Sequence, residues 1–298
     1  TLLAMERGAE DSYKPDLLIT VGGAIISRIV KTFLRKYRAA KQWYVGVSET
    51  TVDCMQTLTK RINVEPGAFF RQFADLYVSK ATSSNYAEKW HALADRGKAR
   101  HDRYLDSAGW SDLKAFSKII PSLPESCRVQ LSNGTTIRYA QLFGDLFRQD
   151  SFCNRGVSGI DGSTSTALGA SLAYDGTTVL ITGDMSFSYD LSGLASQYNS
   201  PRLKIIVMCN GGGGIFRFIK STSVLPELER YFEVGRAIPV DKYAGAFGFK
   251  YFEACSEDEL GCVLSEFWSY KEKAAVLAVK TDNVRSAETL RNYFRREK

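Results

Sequence analysis

The sequence predicts an α/β fold built from doubly wound, mostly parallel sheets, and three observations predict it. Short apolar runs of strand length alternate with amphipathic stretches of helix length. Glycine-rich turns directly follow two of the apolar runs, at the strand ends where such sheets hold their ligands. A chain of 298 residues with 44% hydrophobic residues is also long enough for two buried cores of medium size.

The elements follow in order. From Asp16 an apolar strand leads to an amphipathic helix over Ser27–Arg38 and a strand over Trp43–Val47, one β-α-β unit of a parallel sheet. The pattern begins abruptly, as though preceding strands lay outside this sequence. Asn85–Asp106 is charged, with Trp, Ala and Leu at spacings of one long surface helix, and reads as the connection between units. A second α/β series comes next: strand Arg128–Leu131, helix Thr135–Phe147, helix Gly162–Tyr174 and strand Thr177–Thr182. It continues with helix Asp190–Tyr198, strand Leu203–Cys209, strand Tyr251–Ala254, helix Glu257–Tyr270 and strand Ala275–Val279. The boundary is placed between 1–105 and 106–298.

Composition narrows the function classes. A formal charge of +6 is mild, and the basic residues are spread rather than interleaved with aromatics, which argues against nucleic acid and suits anionic small molecules. The longest apolar runs are strand-sized, so no membrane span is expected, and Thr1–Lys14 has the make-up of no secretory signal. Six cysteines without a Cys-x-x-Cys pair fit reduced, mostly buried thiols of a cytoplasmic protein. His91 and His101, the two histidines, both fall in the charged helical stretch, leaving little for a zinc site or a Ser-His-Asp triad.

Two strand ends carry chemistry. After Thr177–Thr182 comes Gly183-Asp184-Met185-Ser186, and after Leu203–Cys209 comes Asn210-Gly211-Gly212-Gly213-Gly214. Asp and Asn offer two hard oxygen ligands, and a glycine loop lets a backbone carbonyl turn inward as a third, a set that Mg2+ prefers together with phosphate oxygens. Gly183 permits close approach, while Ser186 and a helix N-terminus can donate to a diphosphate. Either segment alone is common in turns. A Walker loop is excluded because no Lys-Ser or Lys-Thr follows the glycines, and Gly211–Gly214 lacks the spaced third glycine of a dinucleotide fingerprint. The Val21-Gly22-Gly23-Ala24 turn lacks it too and reads as structural.

Gly183-Asp184 followed 26 residues later by Asn210 in a glycine-rich loop resembles the thiamine diphosphate motif, with Met185 where many relatives carry Gly. Within that superfamily, Asn154-Arg155-Gly156-Val157-Ser158-Gly159-Ile160-Asp161-Gly162 is similar to the signature of the MenD family. Gly213–Phe216 and the Asn133–Arg138 segment also fit, apart from Gly134 where relatives tend to carry Ser. The likeness is strongest over Asn133–Phe216 and weak in the first hundred residues.

The resemblance implies a thiamine diphosphate-binding (diphosphate) domain over 106–298 and a partial central α/β domain over 1–105. It implies a transferase that joins 2-oxoglutarate to isochorismate with loss of carbon dioxide, in menaquinone biosynthesis, with thiamine diphosphate and Mg2+ or Mn2+ as cofactors. Asp184, Asn210 and the Gly212 carbonyl would hold the metal. Asn133, Gly183, Met185, Ser186 and Ile215 would line the cofactor, and Ile160 would prop it in its bent shape. Arg138 and Arg155 would bind substrate carboxylates, a task suited to planar guanidiniums, with Ile215, Phe216 and Ile219 walling the pocket. In that superfamily a Glu from a separate pyrimidine-binding domain completes the site. The chain alone is therefore expected not to turn over, and the full-length enzyme to be a homodimer or homotetramer.

Three rivals remain. They are another thiamine-dependent 2-oxoacid decarboxylase or acetolactate synthase relative, a regulatory domain retaining the fold without chemistry, and a dinucleotide-binding oxidoreductase. The Asn154–Gly162 run argues against the first, and the paired Asp184 and Asn210 against the second.

Overall fold

The strands form where β-branched and aliphatic residues run together and stop where glycine or a polar residue interrupts them. The computed structural model describes residues 1–23, 25–48, 50, 53–78 and 84–295; Ala24 of the first glycine turn lies outside them. The chain divides into two units, Thr1–Arg103 and Tyr104–Arg295.

In the first unit, β1 (Leu17–Val21), β2 (Lys41–Val45) and β3 (Lys60–Ile62) form a parallel sheet in that order. Between β1 and β2 runs α1 (Arg28–Lys36), where Ser27 accepts from the Val30 amide and so caps the helix rather than belonging to it. The β2 strand lies two residues earlier than the sequence suggests, ending before Gly46. α2 (Pro66–Val78) opens on proline, whose missing N–H costs nothing at a first helical position. α3 (Tyr86–Ser107) is the long charged helix. A small core of Met5, Tyr13, Phe33 and Leu93 is completed by Trp90, whose ring meets Tyr13 edge-on at 5.3 Å.

The second unit holds a six-stranded sheet, every neighbouring pair parallel. β4 (Arg128–Leu131), β5 (Ser151–Cys153), β6 (Thr178–Gly183), β7 (Leu203–Cys209), β8 (Lys250–Ala254) and β9 (Ala275–Lys280) lie in the order β5-β4-β6-β7-β9-β8. β6 and β7 are buried along almost their whole length, as continuous apolar strands covered on both faces must be. Leu180, Ile205, Val207, Val276 and Ala278 face one layer, with Ala167 and Leu168 of α6 (Ser163–Ala173) and Val240 and Ala244 of α9 (Val240–Ala246). The alternate residues Val179, Ile181, Ile206 and Leu277 are fully buried as well, so the second face is covered too. There α10 (Glu257–Ser269) lies against β8 and β9 and packs with α4 (Asp112–Ser122). α5 (Thr136–Leu142), α7 (Asp184–Tyr189), α8 (Ile215–Phe218) and α11 (Asn283–Tyr293) complete the unit.

The strand order sets where a ligand can sit. From β4 the chain steps outward to β5, then returns to the other side of β4 as β6. The crevice beyond the carboxyl ends of β4 and β6 is therefore the topological switch point of the sheet.

Three expectations are corrected. The helix expected over Asp190–Tyr198 is a short 3-10 turn, Leu191–Ala195. Asp190 is spent on the start of α6, where its carboxylate accepts from the Ser165 amide and hydroxyl at 2.7 Å each. Gly193 is packed so tightly against Ser165 that a Cβ would lie 2.6 Å from its Oγ. The helix expected to reach Phe147 ends at Leu142, ahead of Gly144. The cysteines are free, as expected, but only Cys127 is buried, while Cys255 and Cys262 are exposed. Cys262 stands on the outer side of α10, whose inner side is taken by Leu260, Leu264 and Phe267.

Candidate functional site

The site is built from the residues that follow β6, β7 and β4. Gly183 pairs with Met208 at the last rung of the β6–β7 ladder, so the next residues of both strands emerge side by side. Asp184 is the first residue of α7 and is only 3% exposed. Its Oδ1 accepts from the Met185 amide at 2.8 Å and its Oδ2 from the Gly211 amide at 2.9 Å. Burial pushes its pKa up to about 6 against the pull of those hydrogen bonds, and the nearby Asp112 adds to the rise. Both partners are neutral, and each oxygen keeps a lone-pair direction for a further donor or a cation.

The glycine loop after β7 adopts a conformation that side chains resist. Gly211, Gly212 and Gly213 have φ of +91°, +74° and +74°. A Cβ on Gly212 would fall 2.6 Å from Met185 Cγ, and one on Gly213 would fall 2.3 Å from the Phe232 carbonyl oxygen. Asn210 Oδ1 accepts from the Gly212 amide at 3.2 Å, and Asn210 Nδ2 donates to Asp112 Oδ2 at 2.9 Å. The Gly212 carbonyl receives a long 3.5 Å contact from Asn283 Nδ2, which donates more closely, at 2.9 Å, to Glu233.

Asp112 was not legible as a site residue. It opens α4 behind the cap Ser111 and is 1% exposed. Oδ1 accepts from the Thr281 hydroxyl at 2.5 Å, and the Asp112 amide donates to Ser286 Oγ at 3.0 Å. Burial raises its pKa, opposed by the hydrogen bonds from Thr281 and Asn210. The Ser111-Asp112 pair is a local helix-start signal, but nothing local points to a partner 98 residues away.

At the end of β4, Asn133 is 4% exposed and its amide is fully used. Nδ2 donates to the carbonyls of Asn154 and Gly159 at 2.8 and 2.7 Å, and Oδ1 accepts from Arg155 Nη1 at 2.7 Å. Asn133 thus ties the strand end to the Asn154–Gly162 loop. Arg155 is half-buried, and its Nε is buried without a partner among the described residues. Arg138 lies exposed on α5 and donates to the Gly134 carbonyl. Partial desolvation and the charge of Arg155 both lower the Arg138 pKa, so two guanidiniums share one neighbourhood. The Ile160 carbonyl accepts from Ser186 Oγ, joining this loop to α7. Ile215 and Phe216 begin α8 right after the glycine loop, with Ile219 at its end. All three are half-buried, and Phe216 meets the Phe232 ring at 5.1 Å.

The structure therefore gathers Gly183, Asp184, Met185 and Ser186 with Asn210 and Gly212, and separately groups Asn133, Arg138 and Arg155. Ile160 is the link between the two sets through Ser186.

Residues 133–279 match the family described as thiamine pyrophosphate enzyme, C-terminal TPP binding domain, a stretch that starts at Asn133 and includes every sequence-predicted residue just placed. A 2-succinyl-5-enolpyruvyl-6-hydroxy-3-cyclohexene-1-carboxylate synthase of Porphyromonas gingivalis is 40% identical over 96% of this chain and 51% of its own length. Residues 133–279 belong to the C-terminal TPP-binding domain family of thiamine pyrophosphate enzymes. Synthases of the same description from Flavobacterium johnsoniae and Flavobacterium psychrophilum are 37% and 38% identical, each over 95% of this chain. The chain spans about half the length of these curated relatives. The match over residues 133–279 gives the oxygen-bearing side chains at the β6 and β7 ends a chemical context. Among the described residues, no helix is long and apolar enough to cross a membrane.

Proposed function

We propose that this chain supplies the diphosphate- and metal-binding part of a synthase that joins 2-oxoglutarate to isochorismate with loss of carbon dioxide. The observation that carries it is the pairing of Asp184 and Asn210 beyond neighbouring strand ends, tied by the Asp184–Gly211 hydrogen bond. A carboxylate, an amide oxygen and the Gly212 carbonyl are the hard donor set that Mg2+ or Mn2+ takes alongside phosphate oxygens. The fit is electrostatic as well: a carboxylate held this deep by neutral donors is costly as an anion until a cation joins it.

Thiamine diphosphate, when bound, supplies the electron sink that lets a 2-oxo acid lose carbon dioxide. The remaining tasks belong to the chain. Gly183 and the glycine loop let backbone approach the diphosphate closely. Met185 fills the space beside Gly212. Ser186 holds the Ile160 carbonyl, which fixes the backbone that carries the Ile160 side chain as the cofactor's prop. Asn133 acts by anchoring the loop rather than by spending its amide on the cofactor.

Both substrates carry carboxylates, and Arg138 with Arg155 offers two guanidiniums to neutralise them; the buried Arg155 Nε has no partner among the described residues. Ile215, Phe216 and Ile219 form an apolar wall that keeps water from the reacting carbons.

Calorimetric titration of thiamine diphosphate with Mg2+ tests the site: the chain binds and Asp184→Ala does not. The substrate pair is tested in a chimera in which this chain replaces the matching half of the Porphyromonas gingivalis relative. Consumption of 2-oxoglutarate only when isochorismate is present supports the reading. Consumption of pyruvate alone favours another 2-oxoacid carboligase, and no cofactor binding at millimolar concentration overturns the reading altogether.

A further inference from the structure

We propose that Asp112 is a positioning residue for the metal site, fixing which end of the Asn210 side chain faces the cation. The proposal rests on the site reading given above and adds a residue to it. An asparagine amide has nearly the same shape in its two flipped orientations, but one end donates and the other accepts. Only the oxygen end can bind a cation, so something must decide the flip.

Two neighbours decide it here. On one side Asp112 Oδ2 accepts from Asn210 Nδ2 at 2.9 Å, and on the other the Gly212 amide donates to Asn210 Oδ1 at 3.2 Å. The opposite flip would set an amide oxygen against a carboxylate oxygen and an NH2 group against an N–H, two repulsive contacts at once. The Gly212 amide belongs to a loop of left-handed glycines, whereas Asp112 is fixed from three directions. Ser111 caps its helix, Thr281 donates to Oδ1, and its own amide donates to Ser286.

Helix stabilisation does not account for this carboxylate. An acid in a first turn helps through the helix dipole while exposed to water, and a buried one costs desolvation that a lone helix start does not return. Asp112 is 1% exposed and reaches across to a strand-end loop. The return lies in a single orientation of Asn210.

The test is a double-mutant cycle read by the electron paramagnetic resonance signal of free Mn2+, titrated with thiamine diphosphate into the 298-residue chain. Asp112→Asn presents either amide end to Asn210, so only the longer Gly212 contact still favours one flip, and Mn2+ affinity falls about 10- to 100-fold, as for other residues that orient a metal ligand. Asn210→Asp alone faces the Asp112 carboxylate and is also weakened. The reciprocal swap, Asp112→Asn with Asn210→Asp, lets the new amide donate to the new carboxylate and leaves one oxygen for the cation; it binds more tightly than either single variant. Thr281→Val removes the other hydrogen bond to Asp112 but keeps the contact with Asn210, and loses less than Asp112→Asn.

A role confined to folding predicts otherwise: losses that track the heat stability of each variant in chelator, and a swap no better than the sum of its parts. That result, or an Asp112→Asn chain that binds like wild type, overturns the assignment while leaving the site reading intact. A wild-type chain that binds no Mn2+ with thiamine diphosphate overturns the site reading, and this assignment with it.

Discussion

Asp184 and Gly211 are joined by a 2.9 Å hydrogen bond from the Gly211 amide to Asp184 Oδ2, which locks the residue after β6 to the loop after β7. That contact holds the oxygen donors at the spacing of two adjacent parallel strands, about 4.8 Å, within reach of one cation. It also buries the carboxylate, whose pKa is pushed up to about 6 chiefly by that burial.

The raised pKa gives a prediction with a definite sign. The folded state holds this proton more tightly than the unfolded chain, so the contribution to stability is full below about pH 4 and is lost as pH rises through about 6. Asp184→Asn, neutral throughout, should therefore gain on the wild type by about 2–3 kcal/mol between those pH values when no metal is present. Metal binding needs the ionised form, so wild-type Mn2+ affinity should fall by about tenfold per pH unit below 6. Urea unfolding and metal titration over pH 4–8 check both slopes; a flat metal affinity across pH 6 would remove Asp184 from the ligand set.

Asn133 offers a second test because its amide makes four hydrogen bonds at once, including one at 3.5 Å from Cys153 Sγ to Oδ1. Asn133→Ala leaves two carbonyls without their donor and Arg155 without its acceptor. The expected cost is about 2–4 kcal/mol, with the loss of order concentrated in the Asn154–Gly162 loop. Hydrogen exchange localises it: faster exchange in that loop and little change in β6 and β7 is the expected pattern. A uniform change across the unit would mean that Asn133 serves the core rather than the loop.

Much of the framework was readable because burial leaves a one-dimensional trace. β4 and β7 fall on the residues the apolar runs mark, since strands covered on both faces must be apolar throughout. The positions of Asp184 and Asn210 beyond neighbouring strand ends were readable because both directly follow such strands. β5 was not, because three residues, Ser151–Cys153, are too few to show a period. The segment after Asp190 was misread as helix because its composition permits one, while the carboxylate that would have capped it is drawn away to Ser165. Asp112 escaped for a related reason: its chemistry lies in contacts with Asn210 and Thr281, and such long-range pairing leaves no spacing in the sequence.

The glycine loop separates two costs that are usually mixed. Gly211 has φ +91° with nothing among the described residues within 4 Å of the place a Cβ would take, whereas Gly213 at +74° would drive a Cβ to 2.3 Å from a backbone oxygen. Gly211→Ala should cost only the strain of a left-handed residue, about 1–2 kcal/mol. Gly213→Ala adds a clash with backbone that cannot swing aside, worth about 1–3 kcal/mol more. Denaturant midpoints of the two variants measure the difference, and equal losses would show that the loop relaxes freely around residue 213.

Lys204 provides a control far from the chemistry. It is the second residue of β7, about 17 Å along the strand from Cys209 at roughly 3.3 Å per residue, and is 1% exposed. Its Nζ donates to the Tyr270 carbonyl and lies 5.2 Å from the Tyr270 ring centre. Burial, helped by the charge of Lys271, lowers its pKa to about 8. The unfolded chain keeps this proton up to about pH 10.4, so between pH 8 and that value the unfolded state binds more protons and the Lys204 contribution to stability rises with pH, by about 2–3 kcal/mol in all. Lys204→Met should lack that rise while leaving affinity for thiamine diphosphate unchanged, since the proposed ligands follow the opposite end of the strand. Urea midpoints of both proteins at pH 7.5 and 10 decide it. Parallel pH dependences would show that the ammonium is hydrated in solution, and a loss of cofactor affinity would show that strain at the start of β7 reaches Asn210.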